Sequence, residues 1–382
     1  MTSFVEIHGH ALHVAIDGPP GAPAILLMHS LGSGLQVWDA QAAALAREFR
    51  VVRFDVRGHG LSQLSTAPFT LDDLAADALA VLDACGITEA HVGGVSLGGL
   101  IAQAIAARAP ARVRSLILCD TALAIPPPEL WYQRAADART GGMAPLADGT
   151  IVRWVSPAYA ASPAGRGLRA LLVRTPSEAF AAACEALAVA DFTRSSAQIQ
   201  VPTLVLVGAL DPSTPIAAAE ALRDAIPGAQ LVVIPDGLHL PMVEMPELIT
   251  AAIRGFLQPA SDLDTLGARV RAEVLGADHV ARAAAATTAL DRDFQAYLTR
   301  AAWGSVWARP HFDRRTRSII TIALLAALGH EHELALHIRA MKHTGATHAD
   351  LTELLLHVAV YAGVPAANSA LRIAKQLVEE AP

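Results

Sequence analysis

Gly93-Gly94-Val95-Ser96-Leu97-Gly98-Gly99 decides how the first two-thirds of this chain is read. An apolar run, Ala90-His91-Val92, precedes it, and Leu100 to Ala107, rich in strong helix formers, follows. Strand, glycine-flanked serine and helix together make a tight turn that lifts a serine hydroxyl above a sheet edge. Side chains at the flanking positions would collide with neighbouring backbone, which accounts for Gly94 and Gly98. The turn also sets a helix N-terminus, with its free N–H groups and positive dipole end, beneath any oxyanion formed at that serine. A serine so placed needs a base and a group that orients the base before it becomes a nucleophile. The rest of the chain supplies both.

Outward from the elbow, short apolar runs alternate with helical stretches. Phe4 to Ile16 alternates around His8-Gly9-His10 and predicts an opening antiparallel hairpin. Ala24-Ile25-Leu26-Leu27-Met28 predicts a buried strand ending in His29-Ser30-Leu31-Gly32. A helix is expected over Trp38 to Glu48, then the strand Val51-Val52-Arg53-Phe54 ending in Asp55 through Ser62. Thr70 with Asp73 forms a capping box for the helix that runs to Cys85. Ser115 to Cys119 closes this half, and the alternation predicts a parallel sheet covered on both faces.

After Asp120 the alternation stops. Residues 125–197 open on Pro126-Pro127-Pro128 and hold helical pieces with Trp131, Trp154 and several arginines, which predicts a helical lid. Arg134 and Trp154 there either bind a substrate carboxylate and its apolar body or belong to a solvated lid surface. The sheet resumes with Pro202 to Val207 and Leu231 to Ile234, and a last helix spans Pro246 to Phe256. Ligands bind at the carboxyl ends of strands in such sheets. His29, Asp55, Ser96, Asp211 and His239 all fall at those ends.

Serine, then aspartate, then histidine is the chain order of the α/β-hydrolase triad. With the His29-Ser30-Leu31-Gly32, Asp55…Ser62 and Gly208…Pro215 segments, residues 1–258 resemble that family. The resemblance implies Ser96 as nucleophile, His239 as its base and Asp211 as the group that orients His239. It implies an oxyanion hole from the backbone N–H groups of Leu31 and Leu97. Ser30 departs from the family's usual glycine after the histidine. His29 and His59 read as residues that hold loops near the site, and His8, His10, His13 and His91 as hairpin or strand-edge residues.

Composition narrows the classes. Hydrophobic residues make up 53% and charged ones 17%, which describes packed domains rather than disorder. The longest apolar run, Ile319 to Leu328, is about half of a bilayer crossing, so no membrane span is expected. The N-terminus lacks a signal-peptide pattern, and the three cysteines are scattered, so a cytoplasmic protein is expected. A net charge of -7 without a basic run argues against nucleic acid.

Gln258-Pro259-Ala260-Ser261-Asp262 carries breaker and cap residues, so a linker is expected there and a second domain over 262–382. Seven helices are expected: 263–275, 279–289, 291–302, 315–328, 333–343, 349–362 and 366–380. Ile319 to Leu328 is apolar nearly all round, which suggests a homo-oligomer assembled through this domain. Glu333 and His337 share one helix face, and Glu353, His357 and Tyr361 form a second polar stripe. His332 and His337 are five apart, not the zinc-binding H-E-x-x-H spacing, so no metal is expected.

Val270 to Gly276, Phe294 to Trp307, Asp313 to Ser318 and Leu356 to Asn368 resemble the 4-carboxymuconolactone decarboxylase family. That family shares the alkylhydroperoxidase-like helical fold, whose peroxidase members use a cysteine pair. Here no cysteine follows Cys184, which excludes dithiol chemistry. The resemblance implies decarboxylation without a cofactor, and places an enol-lactonase beside it as the next step of one pathway. The side chains then suggest His337, supported by Glu333, as proton donor, with Arg317 and His357 as anchors for carboxylate or enolate oxygens. The alternative is a generic esterase joined to an inactive helical module.

Overall fold

In the computed structural model, which describes residues 2–65, 68–125, 127–257, 260–309 and 311–379, every residue of the run Ala24–Met28 is buried. The strands are β1 Thr2–Ile7, β2 His10–Asp17, β3 Ala24–Met28, β4 Arg50–Phe54, β5 Ala90–Val95, β6 Val113–Cys119, β7 Thr203–Gly208 and β8 Gln230–Ile234. They form one sheet in the order β1-β2-β4-β3-β5-β6-β7-β8. β1 and β2 are the expected hairpin, and β2 also runs antiparallel to β4. From β4 through β8 each pairing is parallel. Parallel pairing requires crossovers that cover the sheet faces, which is why β3 reads as an unbroken apolar run and β6 and β7 carry apolar runs, whereas β8, at the sheet edge, is largely exposed.

The crossover helices are α1 Asp39–Leu45, α2 Leu71–Ala84 and α3 Leu97–Arg108. A 3-10 turn, Leu35–Trp38, precedes α1, so the helix expected over 38–48 starts tighter and ends earlier. α2 has its capping box: the Asp73 N–H donates to Thr70 Oγ1 at 3.2 Å, and the Thr70 N–H donates to Asp73 Oδ2 at 2.8 Å.

Between β6 and β7 the described residues form six helices and no strand, as the lid reading requires. They are α4 Pro128–Gly141, α5 Ala144–Trp154, α6 Pro157–Ala161, α7 Pro163–Arg174, α8 Ser177–Ala188 and α9 Thr193–Ser196. α4 packs along α8, and Arg139 joins them by pairing with Glu178 and Glu185. After β7 come α10 Ile216–Ala225, α11 Pro241–Glu244 and α12 Pro246–Leu257.

The chain divides into two compact units, residues 1–256 and 257–382. Gln258 and Pro259 of the expected linker, Pro126 of the proline run and Glu380 of the last expected helix lie outside the described residues. The second unit contains α13 Ala260–Leu275, α14 Ala277–Ala285, α15 Arg292–Leu298, α16 Arg314–Leu328, α17 Glu331–Thr344, α18 His348–Tyr361 and α19 Val364–Glu379. Ile322, Leu334, Ile338, Leu351, Leu354 and Val358 anchor its main core. A second cluster joins Val270 and Val274 of α13 to Trp303 and Trp307.

A further element differs from expectation. α15 ends at Leu298, and Thr299–Trp307 continues as a π-helix, in which the Ala308 N–H reaches Trp303 O at 3.0 Å. A π turn differs from an α turn by one hydrogen-bond step, which the apolar pattern of so short a run does not register. Two glycines bring this segment against α13. A Cβ on Gly267 would meet Thr299 O at 2.2 Å, and one on Gly304 would meet Leu263 O at 2.4 Å.

Candidate active sites

Ser96 stands between β5 and α3 with φ 56 and ψ -114, a region costly for any residue but glycine. Backbone contacts on both sides hold it there. The Ser96 N–H donates to Cys119 O at 3.0 Å, and Thr121 Oγ1 donates to Ser96 O at 2.9 Å. The flanking glycines are required by close approach: a Cβ on Gly94 would lie 2.3 Å from Gly98 C, and one on Gly98 would lie 2.4 Å from Met28 O. Leu97 opens α3, so its N–H belongs to the first turn, which has no intrahelical acceptor.

Asp211 and His239 meet although 28 positions separate them, because β7 and β8 are neighbours and both loops leave at the same sheet edge. His239 Nδ1 is 2.8 Å from Asp211 Oδ2 and donates to it, which leaves Nε2 as the acceptor nitrogen. Thr214 Oγ1 also donates to Oδ2, at 2.5 Å, and the Ser213 N–H donates to Oδ1 at 2.8 Å. Burial raises the Asp211 carboxyl pKa, but His239 and these donors outweigh it and hold the group below its ordinary value. Ser96, Asp211 and His239 are all buried, at 7%, 4% and 4% exposure.

The loop after β3 is tied down through one carbonyl. Ser30 O accepts from His29 Nδ1 at 2.8 Å, from Ser33 Oγ at 2.8 Å and from the Ser33 N–H at 3.1 Å. In a planar trans peptide the Leu31 N–H must then point the opposite way, out of the loop. Serine at position 30 therefore does not prevent Leu31 from presenting a donor. His29 Nε2 accepts from the Val56 N–H at 2.9 Å, linking this loop to the one after β4. Burial lowers the pKa of His29, and that of His59 to about 3, so both stay neutral. Asp55 gathers the same region: its carboxylate accepts from the Leu35 and Leu61 N–H groups and from His13 Nδ1.

The lid brings two arginines together. Arg134 Nη2 and Arg153 Nη2 lie 3.4 and 3.3 Å from the same Thr150 Oγ1. The Arg134 guanidinium also covers the rings of Trp131 and Phe180 at 5.2 and 5.6 Å. Burial lowers the pKa of both, and no carboxylate is among the groups acting on either. Trp154 is buried at 4% exposure. The end of α5 is fastened to the histidine loop: the His239 N–H donates to Arg153 O at 3.2 Å, and the Leu240 N–H to Trp154 O at 2.9 Å.

In the second unit His337 is 9% exposed and stacks on two indoles, Trp303 at 6.2 Å and 11° and Trp307 at 6.0 Å and 21°. Burial lowers its pKa to about 4, and the Glu333 charge offsets part of that. Its Nδ1 is buried with no partner, so Glu333 acts on it through charge and not through a bond to that nitrogen. Arg317 donates to Arg309 O at 2.8 Å and lies over Phe312, with a buried unpartnered Nε. His357 is exposed, its ring 5.7 Å from Tyr361. The hydrogen bonds and ring contacts of Arg317 and His357 thus run to groups other than His337.

Comparisons with known proteins divide at the same place. Residues 23–141 match the α/β hydrolase fold family, 177–262 match a TAP-like protein family, and 292–376 match the carboxymuconolactone decarboxylase family. A 3-oxoadipate enol-lactonase of Acinetobacter baylyi is 37% identical over 65% of this chain and 94% of its own length. The 4-carboxymuconolactone decarboxylase of the same organism is 46% identical over 30% of this chain and 85% of its own. The crystal structure of the enol-lactonase from Burkholderia xenovorans LB400 superposes with a TM-score of 0.65 at 38% identity, covering 67% of this chain and 100% of that one. The chain belongs to both families, one in each unit.

Several groups that the structure sets against the candidate residues escaped the sequence reading. In the α/β-hydrolase unit they are Arg153 and Trp131, which join Arg134 only through the lid fold. In the decarboxylase unit they are Trp303 and Trp307, which stand in the sequence only as part of the Phe294–Trp307 run. An arginine with no acidic residue within four positions was the available signal for Arg153. The tryptophans offered none.

Proposed function

We propose that this chain carries out two consecutive steps, decarboxylation of 4-carboxymuconolactone and hydrolysis of the resulting 3-oxoadipate enol-lactone to 3-oxoadipate. One observation carries the reading: a single chain spans 94% of one relative bearing the lactonase name and 85% of another bearing the decarboxylase name.

In the hydrolase unit His239 Nε2 takes the Ser96 proton as Oγ attacks the lactone carbonyl, and Asp211 stabilises the imidazolium. The Leu31 and Leu97 N–H groups face the oxyanion. Collapse breaks the ring C–O bond and releases an enol oxygen, which takes the proton from His239 and tautomerises to the ketone. Water then attacks the acyl-serine with His239 as base, giving the free acid and Ser96. Arg134 and Arg153 supply the missing counter-charge for the substrate's carboxylate, against the Trp131 ring and the apolar lid that includes Trp154.

In the decarboxylase unit the lost carboxylate sits on a carbon conjugated through a double bond to the lactone carbonyl. Electrons released with CO2 pass to that carbonyl oxygen, and a proton returns to carbon, so the protein must hold anions and deliver a proton. His337 is the donor. It is neutral in the free enzyme, and the substrate's two carboxylates raise its proton affinity on binding, aided by Glu333. Arg317 and His357 hold substrate oxygens. A second copy of this chain covers the apolar stripe of α16, where Ile320, Leu324 and Leu328 are 40%, 56% and 67% exposed. No helix among the described residues is long and apolar enough to cross a membrane, and the proposed setting is the cytoplasm.

The test supplies 4-carboxymuconolactone to the wild type, Ser96→Ala and His337→Ala. Ser96→Ala should accumulate enol-lactone, and His337→Ala should stall before it. Full conversion by Ser96→Ala would refute the lactonase assignment, and unchanged decarboxylation by His337→Ala would refute the donor assignment.

A further inference from the structure

Asp120 immediately follows β6 and is fully buried, at 0% exposure, with φ 41. An aspartate in that backbone region is strained, so surrounding contacts must hold it there. Its N–H donates to Leu206 O at 2.9 Å, extending the β6–β7 pairing by one residue. Its Oδ1 accepts from the Gly208 N–H at 2.8 Å, at the end of the strand that leads into Asp211. Its Oδ2 is 3.2 Å from the Cys119 thiol, and its carboxyl lies close enough to the Asp211 carboxylate for that charge to act on it.

Two buried carboxyl groups this close cannot both be ionised without a cation between them. The titratable groups around them are Cys119 from β6, Asp211 from the turn after β7 and His239 beyond β8, reached through Asp211. Burial pushes the Cys119 thiol well up, so it stays neutral. Asp211 holds three donors, from His239, Thr214 and Ser213, whereas Asp120 has one amide N–H and one thiol. The donors therefore favour the charge on Asp211 and the proton on Asp120. Burial, then the Asp211 charge, raise the Asp120 carboxyl well above its ordinary range.

We propose that Asp120 is a positioning residue that stays protonated at neutral pH and donates a hydrogen bond to Asp211, thereby orienting His239. The proposal rests on the reading of Ser96, Asp211 and His239 as the hydrolytic set. A donor on Asp211 withdraws part of its charge and keeps the proton of the pair on His239. The Gly208 contact fixes the turn that carries Asp211.

The test uses the full chain with p-nitrophenyl acetate and the enol-lactone, following kcat/KM against pH for Asp120→Asn and Asp120→Ala. The asparagine reproduces the neutral acid, since its NH2 donates to Asp211 while its carbonyl accepts from Gly208. Asp120→Ala should lower kcat/KM by about 10–100-fold and move the acid limb upward, because Asp211 then holds the His239 proton more tightly. Asp120→Asn should recover most of that turnover with the acid limb in place. The infrared carbonyl band of a protonated acid should be present in the wild type and lost in Asp120→Asn, even if Asp120→Ala does not fold. A downward shift of the limb in Asp120→Asn, a fall in Asp120→Ala with the limb fixed, or absence of the band overturns the proposal. Turnover of p-nitrophenyl acetate by Ser96→Ala reports separately on the hydrolytic set, and the infrared band reads the Asp120 proton whichever way that falls.

Discussion

At the scale of single residues, each unit centres on a side chain whose surroundings set its chemistry. Ser96 is held in a strained backbone position by contacts to Cys119 O and from Thr121. Its position above the sheet edge is thus built into the turn. His337 is governed by desolvation beside two indoles, which lowers its pKa from 6.5 to about 4. The sign of the resulting pH dependence follows directly. At neutral pH both folded and unfolded states carry the neutral ring, so the shift has no effect on stability. Below the unfolded value of 6.5 the unfolded chain takes up a proton that the fold refuses until about 4. Stability of the second unit should therefore fall across that window by about 3 kcal/mol. His337→Gln should lose this dependence, which urea unfolding at a series of pH values would measure. An unchanged slope in the variant would mean that other groups carry it.

At the scale of elements, the lid places its charges by how its helices end and cross. α5 presents Arg153 beside Arg134 of α4 through Thr150, and its last carbonyls accept from the His239 and Leu240 N–H groups. The same helix thus carries Arg153 and fixes the histidine loop. Two partly buried guanidiniums that share one hydroxyl and lack an acid are suited to an anion. Arg134→Gln and Arg153→Gln should each raise KM for the enol-lactone by about 10–100-fold, the size of one charge-assisted hydrogen bond. Hydrolysis of p-nitrophenyl acetate, which carries no carboxylate, should change far less. Equal losses on both substrates would instead indicate that the arginines hold the lid.

At the scale of the whole molecule, the chain joins a mostly parallel sheet with its lid to a helical unit with separate apolar clusters. The helical unit leaves Leu324 and Leu328 of α16 more than half exposed, and Val360 and Tyr361 of α18 exposed at 75% and 83%. Helices that bury one face against their own core and keep aliphatic side chains on the other gain from a second copy. Leu324→Glu should shift the protein to a smaller species in light scattering while leaving p-nitrophenyl acetate turnover intact. The same mass for wild type and variant would remove this stripe from the interface.

The sequence by itself determined what depends on neighbours along the chain. The elbow needs glycine at 94 and 98 because of contacts within a few residues or across one strand, and the motif carries that need openly. The capping box at Thr70 pairs residues three apart, and apolar runs mark several of the parallel strands. Triad order was legible for the same reason: strand ends occur in sequence, and each carries its loop. Only the tertiary structure decided which distant groups meet. Thr150 beneath two arginines, the indoles on His337 and the Asp120 carboxyl against Asp211 each depend on how separate elements cross. Periodicity reports which face of an element is apolar, but not which partner covers it. Burial then sets the charge state of each group so enclosed.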